Sequence, residues 1–445
     1  MCTGTGFTRL LVLAALAMAA SPARGAEPAE LDAALARLAS EGRFSGAVVI
    51  RGAEGVRFAR GYGLADPFEV TAFTPETPAD SASLAKPVTS AAVLFLSRGG
   101  KVSLDAPVQR YLPEYPHATA TVRHLLSHSA GLELQDSSDA LANQDNAALL
   151  AATGAPLFPP GSAFNYCNLC AITLALLIER VTGQHYLQIA RQLVALPPGV
   201  GLRPPRLSDW AGRAIGYRRS PAGAIERFDS WEGELLYGSA NLSISAMQLA
   251  EWGGSWSQGD MAPILPMATA PARIGEHASG LTLGNWYCAP QGRRCHYPGH
   301  HEGFHHMLYW DAERRLSIAM LSNNTLAPAL QQRLQRALVA FAEDDAARAT
   351  RELDNPLPDL PVPAGSFTLG TGETIEIVAN GKRRVVVRHG VAYPAYPIGT
   401  GIRYVPGLDL YLAGSHDGRL HWLGLYEDQL GSANAAPHHQ HVSAP

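Results

Sequence analysis

A serine and a lysine three residues apart, in Ser83-Leu84-Ala85-Lys86, carry the most pointed chemistry in this sequence. Residues three apart share one face of a helix, so a helix starting here sets the Ser83 hydroxyl beside the Lys86 amine. Serine is a weak nucleophile until a neighbour takes its proton. A lysine does so once burial or a second cation lowers its pKa. A helix start also leaves backbone N–H groups free to stabilise an oxyanion. The chain has only three lysines, Lys86, Lys101 and Lys382, so a basic background does not account for one at this spacing. A rival chemistry lies at His301-Glu302-Gly303-Phe304-His305, which fits the H-E-x-x-H pattern of zinc hydrolases. That pattern needs a helix to bring His301 and His305 to one face. Pro298-Gly299 before it, Gly303 within it and strand-like alternation after it argue against a helix, so no metal and no organic cofactor is expected.

The elements that must position Ser83 are legible from periodicity. Residues 83–98 read as a helix with Val88, Ala91, Ala92 and Phe95 in an apolar stripe. Ahead of it, residues 30–40 read as a helix, and Ser45–Ile50 and Val56–Arg60 as a hairpin turned at Gly52 and Gly55. Residues 120–127, 169–182, 244–255 and 328–343 read as further helices. Residues 306–322 read as a hairpin turned at Asp311-Ala312-Glu313-Arg314. Asn355–Pro363 holds four prolines in nine residues and cannot be regular structure. After it come five short alternating segments, 374–378, 384–388, 401–405, 408–412 and 421–425. They predict a small β barrel or sandwich. The organisation read from this is a leader at 1–25, a main domain at 26–350, a linker at 351–363, an all-β domain at 364–431 and a flexible tail at 432–445.

Taken together, these stretches resemble the β-lactamase-related serine hydrolases, which include class C β-lactamases, penicillin-binding proteins, D-peptidases and esterases. The resemblance rests on Gly46–Ile50 with Gly61–Asp66, on Thr77-Pro78 leading to Ser83-Leu84-Ala85-Lys86-Pro87, and on Thr121–Leu132. It rests also on Pro160-Gly161 followed by Tyr166-Cys167-Asn168, and on Gly303-Phe304 through Asp311–Arg314 to Asn323. Order and spacing agree over about residues 40–345. S-x-x-K is among the marks of this group. The implied fold is α+β, an antiparallel sheet flanked by helices, with the C-terminal all-β domain added. Tyr166-x-Asn168 looks like the family's Y-x-N motif. By that likeness Tyr166 is a second general acid or base, and Asn168 holds Lys86 or a substrate amide; Asn168 also reads as a helix N-cap. The third motif, K-T-G or H-x-G in the family, is shortened here to Pro298–Phe304. His300, His301 and Gly303 are its candidates for lining the oxyanion site, with His300 preferred. Without the K-T-G lysine, an esterase or peptidase is expected rather than a β-lactamase. The competing expectation is a catalytically weak protein of the same fold that binds cell-wall peptide or a partner. His124 and His128 read as structural, and Trp231 and Tyr237 as pocket-lining or packing residues.

The chain has 445 residues, 47% of them hydrophobic and 17% charged, with a net charge of −4. This composition supports a large core plus a second unit. No basic stripe marks a nucleic-acid partner; the expected partner is a small-molecule or peptide substrate. Arg9, the apolar run Leu10–Ala20 and Ala23-Arg24-Gly25 read as an export signal too short to remain as an anchor, and no later segment reads as a membrane span. Export implies an oxidising compartment. Cys288 and Cys295 are expected to pair. Cys167 and Cys170 read as a structural pair or as two buried thiols. His438, His439 and His441 lie in the expected flexible tail.

Overall fold

The computed structural model describes Met1 and residues 28–132, 145–220, 222–229, 236–289, 292–354, 360–380, 383–397, 401–425 and 428–433. The expected leader beyond Met1, Trp231 and the C-terminal histidines lie outside the described residues.

The apolar faces read from periodicity become one sheet buried on both sides. Helix α1 (Pro28–Ser40) leads into strands β1 (Gly46–Gly52) and β2 (Gly55–Tyr62). Four more strands come late in the chain: β3 (Tyr287–Cys288), β4 (Arg294–His301), β5 (Phe304–Asp311) and β6 (Leu316–Ser322). The antiparallel order is β3, β4, β5, β6, β1, β2. Gly46 sits opposite Ser322 and Arg51 opposite Ser317. Successive strand residues face opposite sides of a sheet. Ala47, Val49, Leu308, Trp310, Ala319 and Leu321 therefore face a helical cluster, which contains α2 (Ala85–Arg98), α3 (Asn168–Thr182) and α4 (Ala246–Gln258). Val48, Ile50, Met307, Tyr309, Ile318 and Met320 face the other way and are covered by α1 and α5 (Pro328–Ala342). Each buried Val, Leu, Ile or Met among them contributes roughly 1.5–3 kcal/mol. Both sheet faces are thus committed to packing, and chemistry is left to an edge or an end.

The C-terminal strands Gly365–Thr368, Thr374–Asn380, Arg383–Arg388, Val391–Pro397, Arg403–Val405, Leu410–Gly414, Leu420–Gly424 and Asp428–Ala433 close into a barrel. Val386, Tyr393, Leu412 and Trp422 are buried there. Closure leaves no strand edge exposed. Three of these strands went unread in the sequence. Val391–Pro397 is interrupted by prolines, Gly365–Thr368 is short, and Asp428–Ala433 runs into the expected tail. A helix, Ala346–Asp354, likewise occupies the start of the expected linker.

Candidate active site

Ser83 stands on a turn that the sheet holds in place. A short 3-10 turn, Ala82–Leu84, leads directly into α2. Ala82 has φ 46, a left-handed conformation uncommon for a residue with a Cβ and found where surrounding structure imposes it. Its N–H donates to Asp80 Oδ1 at 2.8 Å. Asp80 is buried, with Oδ2 3.3 Å from Arg203 Nη1, and its backbone carbonyl accepts from His306 Nε2 at 2.8 Å. His306 Nδ1 in turn accepts the Ser322 N–H at 3.2 Å, which fixes the Nε2–H tautomer. Burial, partly offset by the hydrogen bond to Asp80, pushes the His306 pKa down to about 4, so the ring is neutral at pH 7. Between Ser81 and Ser90 every residue is buried except Ser83, which is half-buried.

Three sequence-predicted residues converge on Ser83. Lys86 Nζ lies 3.1 Å from Ser83 Oγ and donates also to the Ser239 carbonyl at 3.1 Å. Its side chain is buried. Ser239 is brought there by pairing of Ala79–Asp80 with Leu242–Ile244. Tyr166 Oη lies 2.9 Å from Ser83 Oγ, and Lys86 Nζ sits 4.8 Å from the centre of the Tyr166 ring. Asn168 opens α3 and lines the cleft in front of Ser83. It is not the helix cap. Cys167 takes that place, its sulfur accepting the Cys170 N–H at 2.8 Å, and the two cysteines are paired.

Strand β4 forms the opposite wall. Its only β3 partners are at Cys295 and His296, where a disulfide joins Cys288 to Cys295. Beyond them β4 runs against the serine turn. A Cβ on Gly299 would lie 2.9 Å from the Ser81 carbonyl and 3.1 Å from Leu84 Cγ, so only glycine permits this approach. Tyr297, two residues earlier, puts Oη 3.4 Å from Tyr166 Oη. Sequence reading missed Tyr297; the signal was its place two residues before an obligatory glycine.

Of the three third-motif candidates, His300 lines the cleft, whereas His301 and Gly303 are not among the cleft residues. His301 is half-buried on the side of Asp80 and Arg203, and desolvation lowers its pKa. The Gly303 N–H is already donated to the Phe228 carbonyl at 2.9 Å, and a Cβ there would strike the Tyr217 backbone. Gly303 is therefore a packing glycine and has no N–H left for an oxyanion. The zinc pattern fails on geometry. His301 ends β4 and Phe304 begins β5, with His301 opposite Phe304 and His300 opposite His305. The segment is a hairpin turn, with Glu302 at φ 43, and no helical face joins the two histidines. His305 Nδ1 is instead 2.9 Å from Gln331 Oε1. Among the described residues no group of three or more metal-ligating side chains is arranged to hold an ion.

Tyr237 packs rather than lines the cleft. Its hydroxyl donates to Glu179 at 2.7 Å and its ring stacks on Tyr186. His124 serves structure, as the Thr121 capping box requires. The cleft in front of Ser83 has a volume of about 260 Å³. Tyr166, Asn168, Tyr287, Tyr297, Pro298 and His300 line it from the main sheet and helices, and Tyr396, Tyr404 and Pro406 reach it from the barrel. The barrel residues carry no local sequence signal for this role.

An antiparallel sheet packed between helices on both faces, with a serine turn set against one outer strand, is the architecture of the β-lactamases and transpeptidases. The chain belongs to the beta-lactamase family, whose model matches residues 31–341. It is 27% identical over 191 residues to a penicillin-binding protein of Bacillus subtilis (strain 168), covering 39% of this chain and 42% of that protein. It is 34% identical over 196 residues to the esterase EstB of Burkholderia gladioli, covering 39% of this chain and 50% of EstB. The chain thus spans half or less of the length of these curated relatives. Among solved structures, an octameric penicillin-binding protein homologue from Pyrococcus abyssi superposes with a TM-score of 0.60 at 18% identity, over 91% of this chain and 99% of that one. One of these relatives is an esterase, and a D-stereospecific amidohydrolase from Streptomyces shares the fold at 18% identity, with a TM-score of 0.52 over 67% of this chain and 94% of that one. No helix among the described residues is long and apolar enough to cross a membrane.

Proposed function

We propose that this protein is an exported serine acyl hydrolase that works through an acyl-enzyme on Ser83. The observation that carries the reading is the contact of Ser83 Oγ with both Lys86 Nζ, at 3.1 Å, and Tyr166 Oη, at 2.9 Å, at the mouth of a cleft. Two proton-handling groups on one hydroxyl let it lose its proton to one while the other relays a proton to the leaving group. In this mechanism Ser83 Oγ attacks the carbonyl carbon, and the proton passes to the Lys86–Tyr166 pair. The tetrahedral oxyanion is met by backbone N–H groups at Ser83 and at the open β4 edge beside Gly299 and His300. Collapse expels the alcohol or amine, which takes the proton from Tyr166. Water then cleaves the acyl-enzyme by the same relay.

Asn168, lining the cleft at the start of α3, is the group suited to bind a substrate amide or carbonyl. The absence of a lysine or arginine among the described lining residues favours esters and amides over β-lactams, whose carboxylate needs a cationic partner. The paired cysteines fit an oxidising compartment, in keeping with the export signal read at residues 1–25. The test is labelling with a fluorophosphonate and mapping the adduct by mass spectrometry, with Ser83→Ala alongside. An adduct on Ser83 that the variant lacks is the expected result. A folded protein that takes no adduct sinks the hydrolase reading in favour of a binding protein on the same fold.

A further inference from the structure

We propose that the C-terminal barrel builds the acyl pocket of this enzyme and selects uncharged aromatic or bulky apolar acyl groups; this rests on the assignment of Ser83 as nucleophile. The barrel segment from Tyr404 to Asp409 is clamped onto the main sheet rather than laid loosely against it. Asp409, buried, sits with Oδ2 2.5 Å from His296 Nε2 of β4 and accepts the Tyr404 hydroxyl on Oδ1 at 2.7 Å. The Tyr287 hydroxyl of β3 donates to the Pro406 carbonyl. Nearby, the Gly280 N–H donates to Tyr393 Oη at 3.1 Å. A Cβ on Gly280 would sit 2.9 Å from the Gly407 carbonyl oxygen, so the two backbones meet at a distance only glycine allows. A segment tied down at several points is preorganised, and a preorganised wall discriminates between ligands.

What this wall offers a substrate is ring surface. Tyr287, Tyr297, Tyr396 and Tyr404, with Pro298 and Pro406, surround the space in front of Ser83. The hydroxyls of Tyr287, Tyr297 and Tyr404 all have partners within the protein, which leaves their rings for the ligand. Burial, together with the Asp409 carboxylate, raises the Tyr287 and Tyr404 phenols far above their ordinary value, so they stay protonated. Burial lowers the His300 imidazole, so it is no cation either. No lysine or arginine is among the described lining residues. The Lys86 amine is already engaged by Ser83 and the Ser239 carbonyl, so a carboxylate held against the ring wall gives up its water without a counter-charge beside it, which is costly, whereas an aromatic acyl group gains ring contacts.

The test uses the full chain and three 4-nitrophenyl esters with one leaving group: acetate, phenylacetate and hemisuccinate. The expected kcat/KM for phenylacetate exceeds that for acetate by roughly tenfold, and hemisuccinate falls below acetate by a similar factor. Tyr396→Leu and Tyr404→Leu, each checked by thermal melting, should bring the phenylacetate-to-acetate ratio toward one. Tyr396 lies on the neighbouring strand opposite Tyr404, and its variant keeps the test alive should Tyr404→Leu unfold. A preference for hemisuccinate, or a ratio unmoved in the folded variants while Ser83 still takes a fluorophosphonate, overturns the assignment alone. Failure of Ser83 to take the probe overturns the nucleophile reading, and this assignment with it.

Discussion

The imidazole of His128 lies flat against the phenol of Tyr166, with ring centres 4.9 Å apart and planes 16° from parallel. The imidazole is held at both of its nitrogens. His128 Nδ1 accepts the backbone N–H of Cys167, the residue after Tyr166, at 3.0 Å. That leaves Nε2 as the donor to Asn285 Oδ1 at 2.7 Å. Asn285 cannot turn over, because its Nδ2 donates to Ser90 Oγ at 2.8 Å and to the Leu126 carbonyl at 3.2 Å. A neutral imidazole of one tautomer therefore fixes both the ring and the backbone of the tyrosine that touches Ser83.

Replacing His128 should consequently show in turnover more than in binding. His128→Phe keeps a ring beside Tyr166 but orphans the Cys167 N–H, a loss of about 1–3 kcal/mol for a buried donor. The expected outcome is a kcat lower by roughly tenfold to a hundredfold, with KM little changed and the kcat–pH profile displaced. Steady-state kinetics across pH decide it; an unchanged profile would reduce His128 to a packing residue.

Acid should unfold the protein before its carboxylates titrate. Burial pushes the His128 pKa down from 6.5 to about 4, with Lys86 adding to the effect, and burial does the same to His306, also to about 4. Each ring binds its proton more readily when unfolded. Each therefore adds stability that is complete above pH 6.5 and is lost as pH falls toward 4. A shift of this size corresponds to on the order of 3 kcal/mol per ring. Urea titrations at pH 7 and pH 4.5 should show a fall in unfolding free energy of several kcal/mol, and His128→Phe should flatten the slope.

Gly299→Ala tests the close approach of β4 to the serine turn. The added methyl would lie 2.9 Å from the Ser81 carbonyl, so the strand edge must move away from Ser83. The expected result is a folded protein whose kcat falls by on the order of a hundredfold, as when one oxyanion donor is lost. Thermal melting and acylation kinetics measured together separate this from unfolding.

Asp80→Ala should be a stability variant with a catalytic echo. It removes the carboxylate that faces the buried Arg203 guanidinium and the acceptor that holds Ala82 in its left-handed conformation. Breaking a buried ion pair costs about 3–5 kcal/mol. A thermal shift assay should show a drop of several degrees, and fluorophosphonate labelling of the surviving folded protein should slow.

The Ser83–Lys86 contact was legible because its geometry is local. Ser83 and Lys86 meet through helix spacing alone, and the apolar periodicity around them places the helix. The core sheet was legible for the same reason, through the hairpins at residues 46–62 and 304–322. The closing wall was not. Tyr396, Tyr404 and Pro406 reach the cleft through a barrel whose docking depends on His296 meeting Asp409, and no short-range pattern encodes that. In the third motif the preferred His300 does line the cleft, whereas Tyr297 carries no chemical pattern of its own in the sequence. Asn168 looked like a cap because a cysteine rarely is one, yet the Cys167 sulfur accepts the N–H that an asparagine would have taken.

The central sheet joins segments of the chain that are far apart in time as well as in sequence. Ser45 N–H bonds to Asn324 Oδ1 at 2.8 Å across a sequence separation of 279 residues, and β1 has no partner on that side until β6 exists. Such non-local pairing forms slowly because a long loop must close before any contact rewards it. While the ribosome is still adding the middle of the chain, the N-terminal hairpin waits with one edge open, and the molecule depends on whatever escorts unfolded chains until residue 324 emerges.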